Sequence, residues 1–269
     1  MGQPKVSFVQ CEQATVWPEI SKTHDWIDSS FSTSPSAIGE LRFSPPANGN
    51  YARKHPVCDP SGATVGYIAK GVWEIGYTYT SVYVGGCFWI ANAPIRGTTS
   101  SNDFSRVSLV DRVGQFFWGK DPKFAVTKTF VLGDGWPFSI EAFKLVGDGS
   151  HLFYMSKCGF ALFDVRGRER EAQVDFDDLA YQFSGFDVSP KVLSLAVAFS
   201  TRDCRDVVDG EYRYKNFLRL YDMTTGFVLG QQDLPGSSHE HWVVNFSENG
   251  RRLKVESKSK IIIFEMKSI

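Results

Sequence analysis

The sequence predicts an all-β protein built from short antiparallel strands, and three observations support this prediction. The 269 residues include 22 Phe, 10 Tyr and 7 Trp, and the apolar runs that contain them are interrupted by 24 Gly and 12 Pro, which is typical of short strands joined by turns. No run keeps the 3.6-residue period of a helix over ten residues. A strand–turn–strand pattern also recurs in the second half of the chain.

The bulk composition is that of an ordinary globular domain. Hydrophobic residues make up 42% and charged residues 22% of the chain, and the length is sufficient for the core of a single domain. No apolar stretch approaches the ~20 residues that span a bilayer, and the N-terminus lacks a secretory signal pattern, so we expect no membrane association. The formal net charge of −1 argues against nucleic acid as a partner.

The cysteines do not form a recognisable metal or disulfide framework. Their number is odd, they are widely spaced, and no CxxC pair occurs. The five positions are Cys11, Cys58, Cys87, Cys158 and Cys204. We interpret them as reduced thiols, which predicts a cytoplasmic or nuclear location.

Two segments of the second half align without a gap. LVGDGSHLFYMSKCGFALFDV begins at residue 145 and FSENGRRLKVESKSKIIIFEM at residue 246, an offset of 101. Five anchor positions match at this offset: Leu145 with Phe246, Gly149 with Gly250, Leu152 with Leu253, Phe163 with Phe264, and Asp164 with Glu265. So many matches over about twenty residues indicate an internal repeat.

A third copy lies between these two segments. Val188 stands 43 residues after Leu145, which sets the period, and Tyr221 stands 58 residues after Phe163. The excess of 15 residues over the period predicts one expanded polar loop, at about 200–214.

Each copy contains three short strands, and in two copies a fourth follows a turn that carries an acid. These fourth strands are EAQVDF, after FDVRGR, and FVLGQQDL, after YDMTTG. The tight turn before the second strand holds Gly149 or Gly250 in two copies and Val192 in the third. A period near 43 with four strands is typical of propeller blades. The sequence therefore predicts a β-propeller of four-stranded antiparallel blades.

The repeat resembles that of the WD40 family over residues 137–269. The turns VGDG (146–149) and SENG (247–250) stand at that family's strand–turn positions. Phe or Tyr replaces Trp at its Trp-Asp position in LFDV, LYDM and IFEM. The resemblance implies a ring closed by an N-terminal strand and a protein-interaction scaffold.

Residues 37–136 contain weaker copies of the pattern. LRFSPPANGNYA (41–52) has the form of a strand–turn–strand opening. A further blade is predicted from SVYVGGCFWIANAP, FSRVSLVDRV and KFAVTKTFVLG, between 81 and 133, with PIRGTTSSND (94–103) as its loop. With the three clearer blades of 137–269, this gives about five blades in one domain, with six as the alternative.

The last blade requires a strand from elsewhere, because its third strand, IIIFEM, ends at residue 266. VSFVQ (6–10) is the predicted fourth strand, which would remove an open sheet edge. Residues 11–36 then form a connector, or a degenerate blade in the six-blade alternative.

The insertion is the main candidate for a binding surface. Long insertions on a rigid scaffold often carry interaction residues, and Tyr and Arg are favoured in binding hot spots. We predict that a protein partner of unknown identity is bound by Arg202, Arg205, Tyr212 and Arg213, with His239 and His241 from a neighbouring blade connection.

Metal sites receive less support. His239 and His241 could share one face of a strand, but no third ligand has matching spacing, and a loop histidine bonded to a turn is favoured. The acids of the insertion lack the EF-hand spacing, which favours a solvated loop. We interpret RGREREA (166–172) as a solvated turn as well.

No recognised catalytic or phosphate-binding motif is present. We therefore expect a non-catalytic scaffold without a cofactor or metal. The alternative is a propeller enzyme or carbohydrate-binding propeller with a site in the central channel. Trp89 and Trp118 are its candidate sugar platforms, although buried strand aromatics are the favoured interpretation of both residues. Lys and aromatic residues interleave over 115–130, as in single-strand binding, but the near-neutral charge favours buried strand aromatics there.

Overall fold

A computed structural model describes residues 6–14, 42–43, 54–69, 77–94, 104–115, 122–132, 140–176, 181–208, 211–236 and 239–268. This part of the chain is mostly strand and has no helix, which confirms the all-β prediction; accordingly it contains no long apolar helix of the kind that crosses a membrane. Its strands are β1 Val6–Ala14, β2 Arg42–Phe43, β3 Lys54–Cys58, β4 Thr64–Ala69, β5 Tyr77–Val84, β6 Cys87–Pro94, β7 Ser105–Gln115, β8 Pro122–Leu132, β9 Ala142–Val146, β10 His151–Ser156, β11 Gly159–Asp164, β12 Glu169–Asp175, β13 Tyr181–Val188, β14 Ser194–Val208, β15 Glu211–Asp222, β16 Val228–Asp233, β17 Val243–Phe246, β18 Arg252–Glu256 and β19 Ile261–Ser268.

The chain divides into two compact units. The first comprises residues 1–31, 146–148 and 176–269 and holds two four-stranded sheets, in the orders β13-β14-β15-β16 and β1-β19-β18-β17. The second comprises residues 32–145 and 149–175 and holds one four-stranded sheet, in the order β12-β11-β10-β9, and one seven-stranded sheet. The predicted four-stranded antiparallel sheets are therefore present in both units.

The N-terminal strand completes the last sheet, as predicted. β1 pairs antiparallel with β19, from Val6 opposite Ser268 to Ala14 opposite Ile261. Without β1, the backbone N–H and C=O groups on one side of β19 would form an open edge. Residues 11–14 belong to this strand, and the rest of the predicted 11–36 connector lies outside the described residues.

The repeat seen in the sequence is also a repeat of strand register. In three sheets the anchor leucine of the second strand lies directly opposite the anchor aromatic of the third strand. These pairs are Leu152–Phe163, Leu195–Tyr221 and Leu253–Phe264. All six side chains are buried. Because a one-residue slip would turn these side chains to the other face of the sheet, burial of the anchors specifies the register.

The third and fourth strands of these sheets also share a β-bulge. One extra residue in the fourth strand falls beside the anchor aromatic of the third. The extra residues are Glu171 in β12, Leu229 in β16 and Cys11 in β1. The N-terminal strand thus reproduces the backbone irregularity of the fourth strands that it joins.

The turn before the second strand explains the matched glycines. Gly149 and Gly250 have φ of 83° and 69°, which side chains with a Cβ rarely adopt. Val192, their counterpart in the third copy, has no such φ; its carbonyl instead accepts a hydrogen bond from the Ser194 N–H at 2.7 Å. The turn of the third copy is built differently, and it does not require glycine.

The acid that ends the third strand folds the next turn. Asp164 accepts hydrogen bonds from the backbone N–H groups of Arg166 and Gly167, both at 2.9 Å. Asp222 accepts equivalent bonds from Thr224 and Thr225, at 2.8 and 3.3 Å. This Asx-turn geometry gives the repeated acid a local structural role.

The two sheets of the first unit pack face to face. Their shared core contains Ala196, Ala198, Leu218 and Leu220 from β14 and β15, and Val244, Phe246, Leu253, Val255, Ile262 and Phe264 from β17, β18 and β19. The first strands of the two sheets, β13 and β17, are also hydrogen-bonded to each other: the Phe246 backbone N–H donates to Asp187 Oδ2 at 2.8 Å. In the second unit, Trp89, Phe130 and Phe163 join the two sheets in the same way.

The seven-stranded sheet departs from the predicted regular blade. The four strands predicted between 81 and 133 are present as β5 to β8, in consecutive antiparallel order. However, β4 pairs in parallel with β8, so β2-β3-β4 are joined to that group in one mixed sheet. This pairing covers backbone groups that would otherwise be exposed on the edges of β4 and β8. Of the predicted loop at 94–103, Pro94 ends β6 and residues 95–103 lie outside the described residues.

Candidate functional site

The predicted polar loop at 200–214 is in fact an extension of a β-hairpin. β14 and β15 keep pairing beyond the buried part of their sheet, through Arg202 opposite Tyr214 and Asp203 opposite Arg213, to Val208 opposite Glu211. A bulge interrupts the ladder between Asp203 and Val207. The prediction of a loop was wrong because antiparallel pairing satisfies the backbone groups of a polar segment as well as those of an apolar one.

A local signal for this hairpin is present in the sequence. Asp209 and Gly210 stand between Val208 and Glu211, and Asp-Gly is a preferred dipeptide for a two-residue hairpin turn. The polar composition of the flanking residues hid the strands, since Val207 and Val208 are adjacent and do not form the alternating apolar pattern that marks one face of a strand.

The hairpin is attached at its base to the connection between β16 and β17. Ser200 Oγ donates to Asn216 Oδ1 at 2.5 Å, and both side chains are buried. Asn216 Nδ2 in turn donates to the Gly236 carbonyl at 3.1 Å. These bonds join the cross-strand pair Ser200–Asn216 to the 234–242 connection, which lies beside it.

The next cross-strand pair on the same face brings predicted site residues together. Arg202 lies opposite Tyr214, and positions two apart along a strand share a face, so this pair follows Ser200–Asn216. The Tyr214 ring meets the His239 ring edge to face, with centroids 5.6 Å apart. Arg202 and His239 are both exposed. Tyr214, which we did not predict, is therefore the side chain that connects the hairpin to the 234–242 connection.

The remaining predicted residues are arranged differently. Arg213 is exposed but belongs to the opposite face of the hairpin, in the pair with Asp203. His241 is exposed and precedes the buried Trp242. The backbone N–H of Trp242 donates to Ser184 Oγ at 2.6 Å. Arg205 and Tyr212 lie on the hairpin strands, and their side chains are outside the described part. The structure thus gathers Arg202 and His239 around Tyr214, and leaves Arg213 on another face.

Glu240 is a feature of this connection that sequence reasoning missed. Its side chain is only 18% exposed, and its Oε1 lies 3.9 Å from Lys260 Nζ. Its Oε2 is buried without a hydrogen-bond partner among the described residues. Glu240 packs against Gly236, where an added Cβ would lie 2.6 Å from Oε1. No sequence signal marks this contact, because it depends on the path of the connection.

The metal hypotheses gain no support from the described side chains. In that part of the chain, no group of three His, Cys, Asp or Glu side chains could hold a metal ion. His239 is engaged with Tyr214. The side chains of Asp203, Asp206, Asp209 and Glu211 lie outside the described part.

Trp89 is not a sugar platform. It is fully buried and packs against Phe130 and Phe163, with ring centroids 6.3 and 5.7 Å away. A platform must expose one ring face, so the structure excludes the sugar-platform alternative for Trp89 and agrees with the favoured interpretation of a buried strand aromatic. Trp118 lies outside the described residues. In the 115–130 run, Phe124 and Phe130 are buried, as the strand interpretation predicted.

The RGREREA turn is not simply solvated. Arg168 Nη1 forms an ion pair with Asp111 Oδ1 at 2.9 Å, and Lys128 Nζ pairs with Glu169 Oε1 at 2.5 Å. Asp111 lies on β7 and Lys128 on β8, so this turn is bonded to the neighbouring sheet. Arg166 and Gly167 remain exposed, as predicted for a solvated turn. The prediction is therefore corrected only for Arg168 and Glu169, which form the two ion pairs.

Three thiols are described, and all are free: Cys58, Cys87 and Cys158. Burial raises the pKa of Cys87 to about 11, against a smaller opposing effect of Arg168. Burial also raises the pKa of Cys158. Because the thiolate is the reactive form, both groups are suited to packing and not to nucleophilic chemistry.

Comparison with known proteins assigns no family. No protein-family model matches the chain, and no curated protein matches it significantly.

Proposed function

We propose that the protein is a WD40-like β-propeller of about five blades that serves as a protein-interaction scaffold in the cytoplasm or nucleus. The shared register, the shared bulge and the N-terminal fourth strand support the propeller. Face-to-face packing of consecutive sheets within each unit supports it further.

One observation supports the binding role most strongly. The β14–β15 hairpin continues past the buried core and rests on the next connection through Tyr214 and His239. A paired, anchored hairpin loses less conformational entropy on binding than a free loop. It therefore offers a partner a preorganised surface with exposed Arg202 and His239 on the face that carries Tyr214.

The test is affinity capture from lysate of the source organism, followed by mass spectrometry, with three forms of the intact protein. The Arg202→Glu/His239→Ala variant alters the proposed surface. Lys258→Glu introduces the same charge change at an exposed turn residue elsewhere and is the control. We expect a partner that wild type and Lys258→Glu capture and the surface variant loses by about tenfold or more, which corresponds to roughly 1.4 kcal/mol.

Circular dichroism and thermal unfolding must show that the surface variant is folded. A partner that the surface variant retains at the wild-type level would contradict this binding surface. Reconstitution with the purified partner would then separate direct from indirect capture.

A further inference from the structure

Three side chains outside the hairpin form a continuous chain of close polar contacts in the second unit. Ser150 Oγ lies 2.7 Å from His151 Nδ1, and His151 Nε2 lies 3.1 Å from Glu171 Oε2. The His151 side chain is 17% exposed and that of Glu171 is 35% exposed. The imidazole is thus largely shielded while both of its nitrogens have partners.

The tautomer of His151 follows from these partners. An ionised carboxylate only accepts hydrogen bonds, so in the neutral ring Nε2 carries the proton and donates it to Glu171. Nδ1 is then the acceptor, and the Ser150 hydroxyl must be the donor. When the ring is neutral, the hydroxyl proton therefore points at a base that faces a carboxylate, the relation found in hydrolase triads.

The repeat itself does not require this chain of bonds. The backbone bond that fixes Ser150, from the Val165 N–H to the Ser150 carbonyl at 3.0 Å, recurs in two other sheets as Met223 to Leu193 and Met266 to Arg251, both at 2.9 Å. Leu193 and Arg251 thus stand where Ser150 stands. Leu229 and Cys11 occupy the bulge position of Glu171. The other sheets keep the same backbone without the serine, the histidine or the glutamate, so a purely structural need does not explain the set.

We propose that Ser150 is a nucleophile toward carboxylic esters with a good leaving group, such as aryl esters. His151 is its general base, and Glu171 is a positioning residue. In the acylation step, Ser150 Oγ forms a bond to the acyl carbon, and its proton passes to His151 Nδ1. The bond to the leaving oxygen breaks as the proton is delivered to it, and water then hydrolyses the acyl-serine in the same manner.

The first test needs no variant. The intact protein is treated at neutral pH with a fluorophosphonate, with which Oγ forms a bond to phosphorus as fluoride leaves. Peptide mass spectrometry then gives the labelling rates of Ser150 and Ser61. Ser61 is an exposed serine that is hydrogen-bonded to a carboxylate, Asp59 Oδ1, at 2.6 Å, but to no imidazole, and it serves as the internal control. We expect Ser150 to react about a hundredfold faster, the lower range of general-base catalysis.

Variants then separate a reactive role from a structural one. Ser150→Ala should abolish the adduct and the release of nitrophenolate from 4-nitrophenyl acetate. His151→Gln should slow labelling to the rate of Ser61. Glu171→Gln keeps an acceptor for His151 Nε2, so its Ser150 should be labelled more slowly than in wild type but faster than in Glu171→Ala. Wild type, Glu171→Gln and Glu171→Ala should have the same melting temperature.

Two results would overturn the proposal. One is labelling of Ser150 no faster than that of Ser61 in the folded wild-type protein. The other is a His151→Gln variant that reacts at the wild-type rate. Neither result bears on the proposed scaffold function, because the capture experiment uses residues of the other unit.

Discussion

At the scale of the residue, contacts that are not part of the repeat pattern determine which substitutions the chain tolerates. Gly236 combines a φ of 111° with the close approach of the Glu240 carboxylate. Gly62 has a φ of 87°, but an added Cβ would meet nothing within 4 Å. A comparison of substitutions at these two glycines therefore separates the effect of backbone strain from that of a steric clash.

We expect Gly236→Ala to lower the free energy of unfolding by about 2–3 kcal/mol, because strain and clash act together. Gly62→Ala should cost about 1 kcal/mol from strain alone. Urea denaturation measures both. In a Glu240→Ala background the clash is removed, so the cost of Gly236→Ala should fall to that of Gly62→Ala. Equal costs in both backgrounds would show that the Glu240 contact is unimportant.

Asp222 gives a prediction about pH. Burial would raise the pKa of its carboxyl, but hydrogen bonds from the Thr224 side chain and from the Thr224 and Thr225 backbone outweigh burial and lower the pKa. A lowered folded-state pKa contributes stability above the unfolded value, and this contribution is lost as the pH falls through the folded value. We expect Asp222→Asn to lose about 1 kcal/mol at pH 7.

The difference between Asp222→Asn and wild type should shrink as the pH is lowered below 3.8, the ordinary pKa of an Asp carboxyl. Urea denaturation between pH 3 and pH 7 measures it. Glu248→Gln, at an exposed turn position, is the control and should change little. A stability difference that stays constant down to the lowest pH would refute the assigned role of the ionised carboxylate.

At the scale of the element, β1 behaves as a fourth strand that is separated from its sheet in sequence. It has the register and the bulge of the other fourth strands. Val6 lies opposite Ser268, so the start of β1 adjoins the end of β19. A hairpin turn could therefore connect the two strands directly, as in an ordinary sheet.

We expect removal of residues 1–14 to expose the edge of β19 and to cause aggregation or loss of the folded state. Moving residues 6–14 to the C-terminus, after a short Gly-rich hairpin linker, should restore a melting temperature close to that of the full chain. A permuted form in which residues 6–14 are scrambled is the control. If the form with the scrambled strand also recovers the melting temperature of the full chain, the register of the β1 side chains is not needed to complete the sheet.

At the scale of the whole molecule, equivalent positions in the two units test the proposed closed ring. Leu152 and Leu253 occupy the same repeat position, and both are fully buried. Truncation of a buried Leu to Ala costs about 2–5 kcal/mol. In a closed propeller each sheet packs face to face against a neighbour on both sides, so part of the ring cannot separate without exposing apolar sheet faces.

We therefore expect Leu152→Ala and Leu253→Ala each to lower the midpoint of a single urea transition by a similar amount. Fluorescence and circular dichroism should report the same midpoint, as two-state unfolding requires. Val192→Ala, at an exposed turn position, should leave the midpoint unchanged. Two transitions, each moved by one of the two leucine variants, would show independent units and contradict the ring.

Much of the fold could be predicted because its determinants are local in the sequence. The offset between Leu152 and Leu253 predicted a shared structure, and the register of both sheets agrees with it. The strand at 6–10 was identified from the lack of a fourth strand in the last repeat. The parallel pairing of β4 with β8 could not be identified, because parallel partners share no turn that marks them.

The candidate site was less accessible to sequence reasoning. Arg202 and His239 were predicted, but Tyr214 between them was not, because the insertion was interpreted as a loop and not as paired strands. The sequence left open whether Trp89 lines a channel or a core, because an apolar aromatic strand has the same pattern in either place.

By itself, the sequence determined the all-β class, the repeat and its anchors, since alternating burial and turn chemistry act over a few residues. The tertiary structure decided which distant side chains meet. His151 reaches Glu171 across β11, Arg168 reaches Asp111 on another sheet, and Glu240 folds against Gly236. The physical reason is that such contacts depend on bulges, sheet twist and the paths of connections. These features bring polar atoms within hydrogen-bonding range, but they produce no periodic pattern in the sequence.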